Sequence, residues 1–155
     1  MKTDLNIQPI QNIVNQFVDA VKGTLQRNGS NASGDLAKSI KGNVKVNGKW
    51  VEISVSMEDY WKYVEYGRKP GKFPPIDAIK MWIDVKPILP RAINGKLPTK
   101  PQLAFLIARK IAQKGIKPKP FLYNTMDKFK LVENLYDVVA EELQKQIQNE
   151  LDEEL

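Results

Sequence analysis

The chain contains no cysteine and no histidine. Without cysteine it offers no thiol nucleophile, no disulfide framework and no thiolate ligand for zinc or an iron–sulfur cluster. Without histidine it has neither a Ser-His-Asp nor a Cys-His catalytic arrangement, no His-ligated zinc, and no side chain whose ordinary pKa lies near neutrality. These two absences together exclude most familiar classes of enzyme.

Long apolar runs are also missing. The longest uninterrupted run extends from Leu103 to Ala108, which is far shorter than a membrane span, and the polar start of the chain lacks the apolar stretch of a signal peptide. A chain of 155 residues, of which 42% are hydrophobic, is long enough to bury one core without disulfides or a structural metal. The composition therefore predicts a single domain over residues 1–155, made and kept in a cytoplasm, with no membrane partner.

The two signs of charge are distributed unevenly along the chain. Residues 1–59 carry 7 basic and 6 acidic side chains, residues 60–120 carry 14 and 3, and residues 121–155 carry 3 and 9. A basic surface that meets the acidic end of a neighbouring copy would explain both halves of this asymmetry, so self-association or docking on an acidic partner is favoured. The alternative is a nucleic-acid-binding protein, in which the basic 60–120 segment contacts phosphates and its aromatic residues stack on bases.

The first forty residues predict one long helix and one short turn. Apolar residues recur at helical spacing from Pro9 to Leu25, and the Asn28-Gly29 pair is a typical helix end. Asp35 is predicted to cap a single turn that continues to Ile40. The small polar residues between these elements indicate a loop.

A hairpin is predicted over residues 42–57. Its signal is the Asn47-Gly48 pair, which suits a type I′ turn and sets Val44 opposite Val51. The alternation then gives the sheet a core face and a polar face. The residues expected on the core face are Val44, Val51, Ile53, Val55 and Met57, and those expected on the polar face are Lys45, Trp50, Glu52, Ser54 and Ser56.

The remaining sequence predicts helices separated by irregular connections. Residues 58–73 are predicted to form a turn and then an exposed loop, and Pro74-Pro75 opens a helix that Pro87 stops. An irregular connection over residues 87–101 follows, because four prolines fall within it.

Thr99 and Gln102 have the spacing of a capping box and predict a second helix, which Gly115 ends. From Phe121 nearly to the end, the apolar spacing predicts one long helix, with allowance for a bend. The last turns of this helix show a narrow apolar stripe among Glu and Gln residues, which indicates docking on another subunit.

These elements predict an α+β fold. A small antiparallel sheet containing the 42–57 hairpin is packed by the N-terminal helix and the long C-terminal helix. Residues 74–115 form a helical insertion, and residues 146–155 form an acidic C-terminal extension.

No catalytic motif is present in the sequence. It contains no phosphate-binding glycine loop, no EF-hand spacing and no dinucleotide fingerprint. Glu58 and Asp59 are adjacent carboxylates, but at the end of a strand they are expected to face solvent in a turn rather than to bind a metal. We therefore expect no enzymatic activity, no cofactor and no metal.

Three stretches, taken in order, resemble a known family. They are residues 34–40 (GDLAKSI), 60–67 (YWKYVEYG) and 119–122 (KPFL). Together they resemble the tail-completion proteins of tailed double-stranded-DNA bacteriophages, of the lambdoid siphophage tail-component type, also called head-tail connector or neck proteins. In that family a leucine-serine-hydrophobic element precedes a hairpin, a Tyr-x-x-Tyr-Val-Glu-aromatic-Gly stretch follows it, and Pro-Phe-Leu opens the last helix. The resemblance extends over roughly residues 9–145, but it does not include the insertion or the acidic extension.

The resemblance implies a structural role without catalysis. Similar proteins form a ring at the junction between the head and the tail, with sixfold symmetry to match a tail tube or twelvefold symmetry to match a portal. The implied partners are further copies of the chain, the neighbouring portal or adaptor and tail-tube proteins, and, through nonspecific contact, the passing genomic DNA. The implied location is the neck or tail of the virion, after assembly in the host cytoplasm.

The resemblance also implies roles for single residues. Tyr63, Glu65 and Gly67 would fix the turn that presents an exposed loop, and this loop would contact a neighbouring subunit or partner through Arg68, Lys69, Lys72 and Phe73. The other structural anchors are Leu36, Ser39, Phe121 and Leu122. The alternative for each of these residues is ordinary core or turn chemistry without interface contact.

Overall fold

The structure, a computed structural model, describes residues 5–30, 34–47, 50–85, 88 and 90–153. Within these ranges the chain forms seven helices and one two-stranded antiparallel sheet, which is the α+β arrangement predicted from the sequence. The elements in chain order are α1 (Gln8–Arg27), α2 (Asp35–Ser39), β1 (Lys41–Asn47), β2 (Trp50–Ser56), α3 (Trp61–Tyr66), α4 (Ile76–Val85), α5 (Lys100–Lys114), α6 (Leu122–Phe129) and α7 (Leu131–Glu153).

Helix α1 is the central element of the core. It packs against β1, α6 and α7, and it ends at Asn28 as predicted. The buried side of α1 consists of Ile10, Val14, Phe17, Val18, Val21 and Leu25. Burial of a side chain of this size stabilises the fold by about 1.5–3 kcal/mol relative to leaving it exposed.

Two groups of buried residues lie along α1. The group at its C-terminal end joins Phe17 and Leu25 to Leu36 of α2 and to Phe121, which precedes α6. The group at its N-terminal end joins Ile10 and Val14 to Val44 of β1, and it is covered by Leu135, Val138 and Val139 of α7. The N-terminal end of α1 therefore packs mainly against the sheet and α7. Its C-terminal end packs against α2 and α6, and Val55 of β2 and Leu131 of α7 also reach that group.

The register of the hairpin differs from the predicted one by two positions. Val44 pairs with Ile53 rather than with Val51, and the last pair joins Asn47 to Trp50. Asn47 is therefore a strand residue rather than a turn residue, and the glycine that follows it lies outside the described residues. Because the shift is even, each side chain keeps its predicted face, and β-branched residues oppose one another on the core face.

The outer edge of β1 is tied to α1 by Gln11. The Gln11 Nε2 donates to the Gly42 carbonyl oxygen at 3.2 Å, and the Val44 N–H donates to the Gln11 Oε1 at 3.2 Å. A Cβ on Gly42 would lie 2.3 Å from Cγ1 of Val14, so only glycine allows this close approach of strand and helix.

Residues 58–73 were predicted to form a turn and a loop, and the first part of that prediction is wrong. Helix α3 covers Trp61–Tyr66, and the exposed loop begins only at Arg68. A helix of six residues is shorter than the window in which helical periodicity can be recognised, so its sequence resembles a turn.

Asp35 does not cap α2. Gly34 occupies the N-cap position with φ +76°, and Asp35 is the first residue of the helix. A carboxylate within the first turn still interacts favourably with the helix dipole, which explains why the aspartate lies at this end.

The predicted long C-terminal helix consists of two helices. Lys130 adopts the left-handed conformation with φ +49°, and the Asn134 side chain donates to the Phe129 carbonyl oxygen at 2.7 Å. The break lies where the packing partner changes: Phe129 contacts Phe17 at the middle of α1, with ring centroids 5.7 Å apart, and beyond the break α7 packs mainly against the buried group at the N-terminal end of α1.

The predicted insertion contains a pair of helices, α4 and α5, with their own small core. Ile79 of α4 packs against Ala104 and Ala108 of α5, and four further isoleucines surround them. The capping box is present as predicted, since the Thr99 N–H donates to the Gln102 Oε1 at 2.9 Å, and α5 ends before Gly115 as predicted. Pro87, the predicted end of α4, lies outside the described residues.

Candidate functional site

Glu65 joins two of the three family-like stretches. It lies on α3, its side chain is only 2% exposed, and its carboxylate faces the start of α6. It accepts hydrogen bonds from the backbone N–H groups of Phe121 at 2.7 Å, Leu122 at 2.9 Å and Tyr123 at 3.2 Å. These are orphan donors of a helix N-terminus, where a negative charge also interacts favourably with the helix dipole. Glu65 therefore holds α6 in place from another element.

The remaining family-like stretch, residues 34–40, joins the same core. Leu36 is buried in the group that contains Phe121, and Trp61, Val64 and Leu122 pack against that group. The Ser39 hydroxyl donates to the Leu36 carbonyl oxygen at 2.7 Å and accepts from the Glu58 N–H at 3.0 Å, which fixes the chain leading into α3. Residues 34–40, 60–67 and 119–122, far apart in sequence, thus meet in one part of the fold.

Gly67 permits a close crossing of two chain segments. Its φ is +71°, and a Cβ there would lie 2.3 Å from the Ile116 carbonyl oxygen. Directly after it, Arg68 and Ile116 exchange two backbone hydrogen bonds, of 2.9 and 2.7 Å. Gly115 meets the same requirement from the other side, because a Cβ there would lie 2.1 Å from the Arg68 carbonyl oxygen. Sequence reasoning interpreted Gly115 only as a helix end.

The predicted interface loop, residues 68–73, is exposed but fixed at both ends. Beyond the bridge to Ile116, the Gly71 N–H donates to the Ala112 carbonyl oxygen at 2.8 Å, and the Arg68 guanidinium donates to the Lys72 carbonyl oxygen at 2.9 Å. The Phe73 ring lies 5.7 Å from the Phe105 ring of α5. Arg68 is half-buried and shapes the loop, whereas Lys69 and Lys72 are exposed.

The loop and the segment after α5 together form one basic surface. The backbone pairing of Arg68 with Ile116 and the hydrogen bond from the Lys119 N–H to the Val64 carbonyl oxygen, at 2.8 Å, hold the two segments side by side. We call the exposed lysines of these segments the basic surface: Lys69, Lys72, Lys114, Lys117 and Lys119. None of them forms an ion pair with another residue that the structure describes. Lysines that appear scattered in the sequence are therefore neighbours in the fold.

Exposed aromatic side chains border α3 and α6. The Tyr66 ring lies 6.0 Å from the Trp61 ring and 6.3 Å from the Tyr123 ring. The hydrogen bond with the Tyr123 hydroxyl raises the pKa of Tyr66 above its ordinary value. Tyr63 is exposed on the same short helix and lines a depression with Ile116 and Lys117, next to the crossing that Gly67 permits.

Helix α7 presents an exposed row of apolar side chains. We call this row the apolar stripe: Val132, Tyr136, Leu143, Ile147 and Leu151. It adjoins the row of Leu135, Val138 and Val139, which face α1, and continues from that row around the exposed side of the helix. Tyr136 is 75% exposed, an unusual state for an aromatic side chain on an otherwise packed helix.

The described part of the chain contains no cluster of three or more acidic side chains that could hold a metal ion. In the same ranges, no helix has the length and apolar character needed to cross a bilayer.

Comparison with known proteins gives one result: no protein-family model, no curated protein and no solved structure matches this chain.

Proposed function

We propose that this protein is a structural component of a tailed bacteriophage that assembles into a ring at the junction of head and tail. It acts by binding neighbouring subunits and not by catalysis. Ring symmetry, sixfold or twelvefold, follows from the partner that it meets, either a tail tube or a portal. The surface proposed to contact that partner or the next subunit is the loop of residues 68–73.

The observation that supports this proposal is the convergence on Glu65. The three stretches that resemble the tail-completion family are separated by up to about eighty residues of sequence, yet they form one joint in which Glu65 caps the helix that begins after Phe121. The glycine of the same motif permits the crossing with Ile116 that presents the loop. If the three stretches are the signature of one family, they are expected to form one structural unit, as they do in this joint.

The test is genetic. Deleting the encoding gene from the phage genome is expected to yield filled or leaking heads beside free tails in negative-stain electron micrographs of the lysate. Complementation with the intact gene should restore joined particles, and the tail lengths in the deletion lysate would show whether tail termination also depends on this protein. Intact infectious particles without the gene would overturn the proposal.

A second candidate function is nucleic-acid binding, and the basic surface favours it. Lys69, Lys114 and Lys117 lie together with exposed tyrosines nearby, which is the combination that contacts phosphates and stacks on bases. This candidate predicts duplex DNA affinity that falls steeply between low and physiological salt concentration. It also predicts that removing Arg68, Lys69 or Lys72 one at a time weakens DNA binding only slightly, because the contact is spread over many lysines. Affinity that is absent at low salt would exclude it.

A further inference from the structure

We propose that the apolar stripe of α7 docks into a groove between α4 and α5 of a second copy of this chain. The ring that such a contact would build is part of the proposed function, on which this inference rests. The two surfaces that meet are what the inference adds. These surfaces lie on different parts of the chain, so the contact repeats head-to-tail; such a repeat builds a ring where the rotation between successive copies closes and an open filament where it does not.

The groove is an apolar depression beside the basic surface. It has a volume of about 740 Å³, and its walls are formed by Ile79, Trp82, Ile107, Ile111 and Ile116. Lys110 and Lys114, on successive turns of α5, also line it and are exposed. It is therefore shaped and charged to receive an apolar helix with acidic side chains along one border.

Helix α7 has that pattern. Glu133 and Asp137, on successive turns, border the apolar stripe, and neither forms an ion pair with a residue that the structure describes. Side chains four residues apart on a helix are separated by about 5–6 Å, so this acidic pair matches the spacing of Lys110 and Lys114. The apolar stripe, from Val132 to Leu151, is about 28 Å long at 1.5 Å per residue, which is enough to follow α5 over its whole length.

The position of Lys145 supports the same partner. It is the one basic residue of α7, and it lies on the side of the helix away from the apolar stripe, where it pairs with Glu142 at 2.7 Å. The border of the apolar stripe therefore presents only negative charge. Packing of α7 against α7 of another copy would place these acidic borders together, which is unfavourable, whereas the lysines of the groove compensate them.

The experiment measures self-association of the purified full-length chain by sedimentation velocity. A groove variant carries Lys110→Glu and Lys114→Glu, and a helix variant carries Glu133→Lys and Asp137→Lys. Each alone is expected to raise the dissociation constant of the oligomer at least about tenfold, because like charges then face each other. An equimolar mixture of the two variants, and a chain carrying all four changes, should recover association, since opposite charges are restored.

Two controls accompany these variants. Lys38→Glu with Lys41→Glu makes the same charge change away from both surfaces and should leave association unchanged. Circular dichroism is expected to be native for every variant, because all the altered side chains are exposed.

Leu143→Ser with Ile147→Ser tests the apolar part of the contact without changing charge, and it should also weaken association at least about tenfold.

The possible outcomes separate the contact from the proposed function. A chain that stays monomeric at every concentration, or oligomers that are indifferent to both reversals, would overturn the contact. Association that is insensitive to the groove variant and strengthened by the helix variant would indicate α7 against α7 instead. If the charge swaps behave as expected but the gene deletion leaves infectious particles, the contact stands and the phage function fails.

Discussion

The Glu65 carboxylate, on α3, accepts a hydrogen bond of 2.7 Å from the backbone N–H of Phe121, fifty-six residues later in the chain. Two more N–H groups at the start of α6 donate to the same carboxylate. A single buried side chain thus supplies a cap that the sequence around α6 lacks, since Phe121 occupies the N-cap position and cannot accept a side-chain hydrogen bond.

Replacing Glu65 with glutamine should lower the free energy of unfolding by about 1–3 kcal/mol. The amide keeps one acceptor oxygen, but its NH₂ group faces a backbone donor and the favourable charge at the helix N-terminus is lost. Urea denaturation followed by circular dichroism measures the change. Glu58→Gln, the same chemical change at an exposed carboxylate, should alter stability by less than about 0.5 kcal/mol. Equal effects of the two variants would contradict the capping role.

Alanine at Gly67 should destabilise the protein by about 3 kcal/mol or more, because a strained φ and a steric clash act together. The added Cβ would lie 2.3 Å from the Ile116 carbonyl oxygen, and backbone cannot yield as a flexible side chain does. Gly95 provides a matched control: its φ is +75°, but no atom lies within 4 Å of an added Cβ. Gly95→Ala should cost only about 1–2 kcal/mol in the free energy of unfolding. Thermal and urea denaturation of both variants would show the difference.

Much of this fold is predictable from local patterns. The helical spacing from Pro9 to Leu25, the capping box at Thr99 and the alternation along the hairpin each depend on residues close together in sequence, and each is confirmed. The break at Lys130 is not predictable in this way, because apolar spacing continues through it. It coincides with a change of tertiary contact: Phe129 packs on Phe17 at the middle of α1, whereas α7 packs mainly on the buried group at the N-terminal end of α1.

The candidate site likewise has one part that was predictable from the sequence and one part that depends on tertiary contacts. The resemblance of three stretches indicated Glu65, Gly67 and Phe121 as anchors, and the structure brings these three positions together. The proximity of the 68–73 loop to the segment after α5 was not predictable, since it depends on backbone hydrogen bonds between residues almost fifty positions apart, such as Arg68 and Ile116. The only trace of this crossing in the sequence is a glycine on each side of it, Gly67 and Gly115.

The tyrosine pair gives a prediction for alkaline pH. The hydrogen bond with Tyr123 raises the pKa of Tyr66 above its value in the unfolded chain, 10.0. Because the folded-state pKa is the higher one, the pair's contribution to stability is complete below the unfolded pKa and is lost as pH rises through the folded pKa. An NMR titration of ring-labelled tyrosines should show the Tyr66 midpoint moving down in Tyr123→Phe. The same titration of Tyr136→Phe should leave that midpoint unchanged; no movement in Tyr123→Phe would contradict the assignment.

The last prediction concerns the exposed part of the predicted interface. Lys69→Glu combined with Lys72→Glu should leave the monomer folded, since both side chains are exposed and neither forms an ion pair with a described residue. The same change should block ring assembly or joining if the loop meets an acidic neighbour, because facing like charges cost several kcal/mol. Complementation of a gene-deleted phage measures this as loss of joined particles, with Lys38→Glu and Lys41→Glu as the control for net charge. Arg68 is the wrong target for the experiment: its guanidinium holds the Lys72 carbonyl oxygen, so its removal would change the loop's shape together with its charge. Normal assembly of the Lys69 and Lys72 variant would move the contact away from this loop.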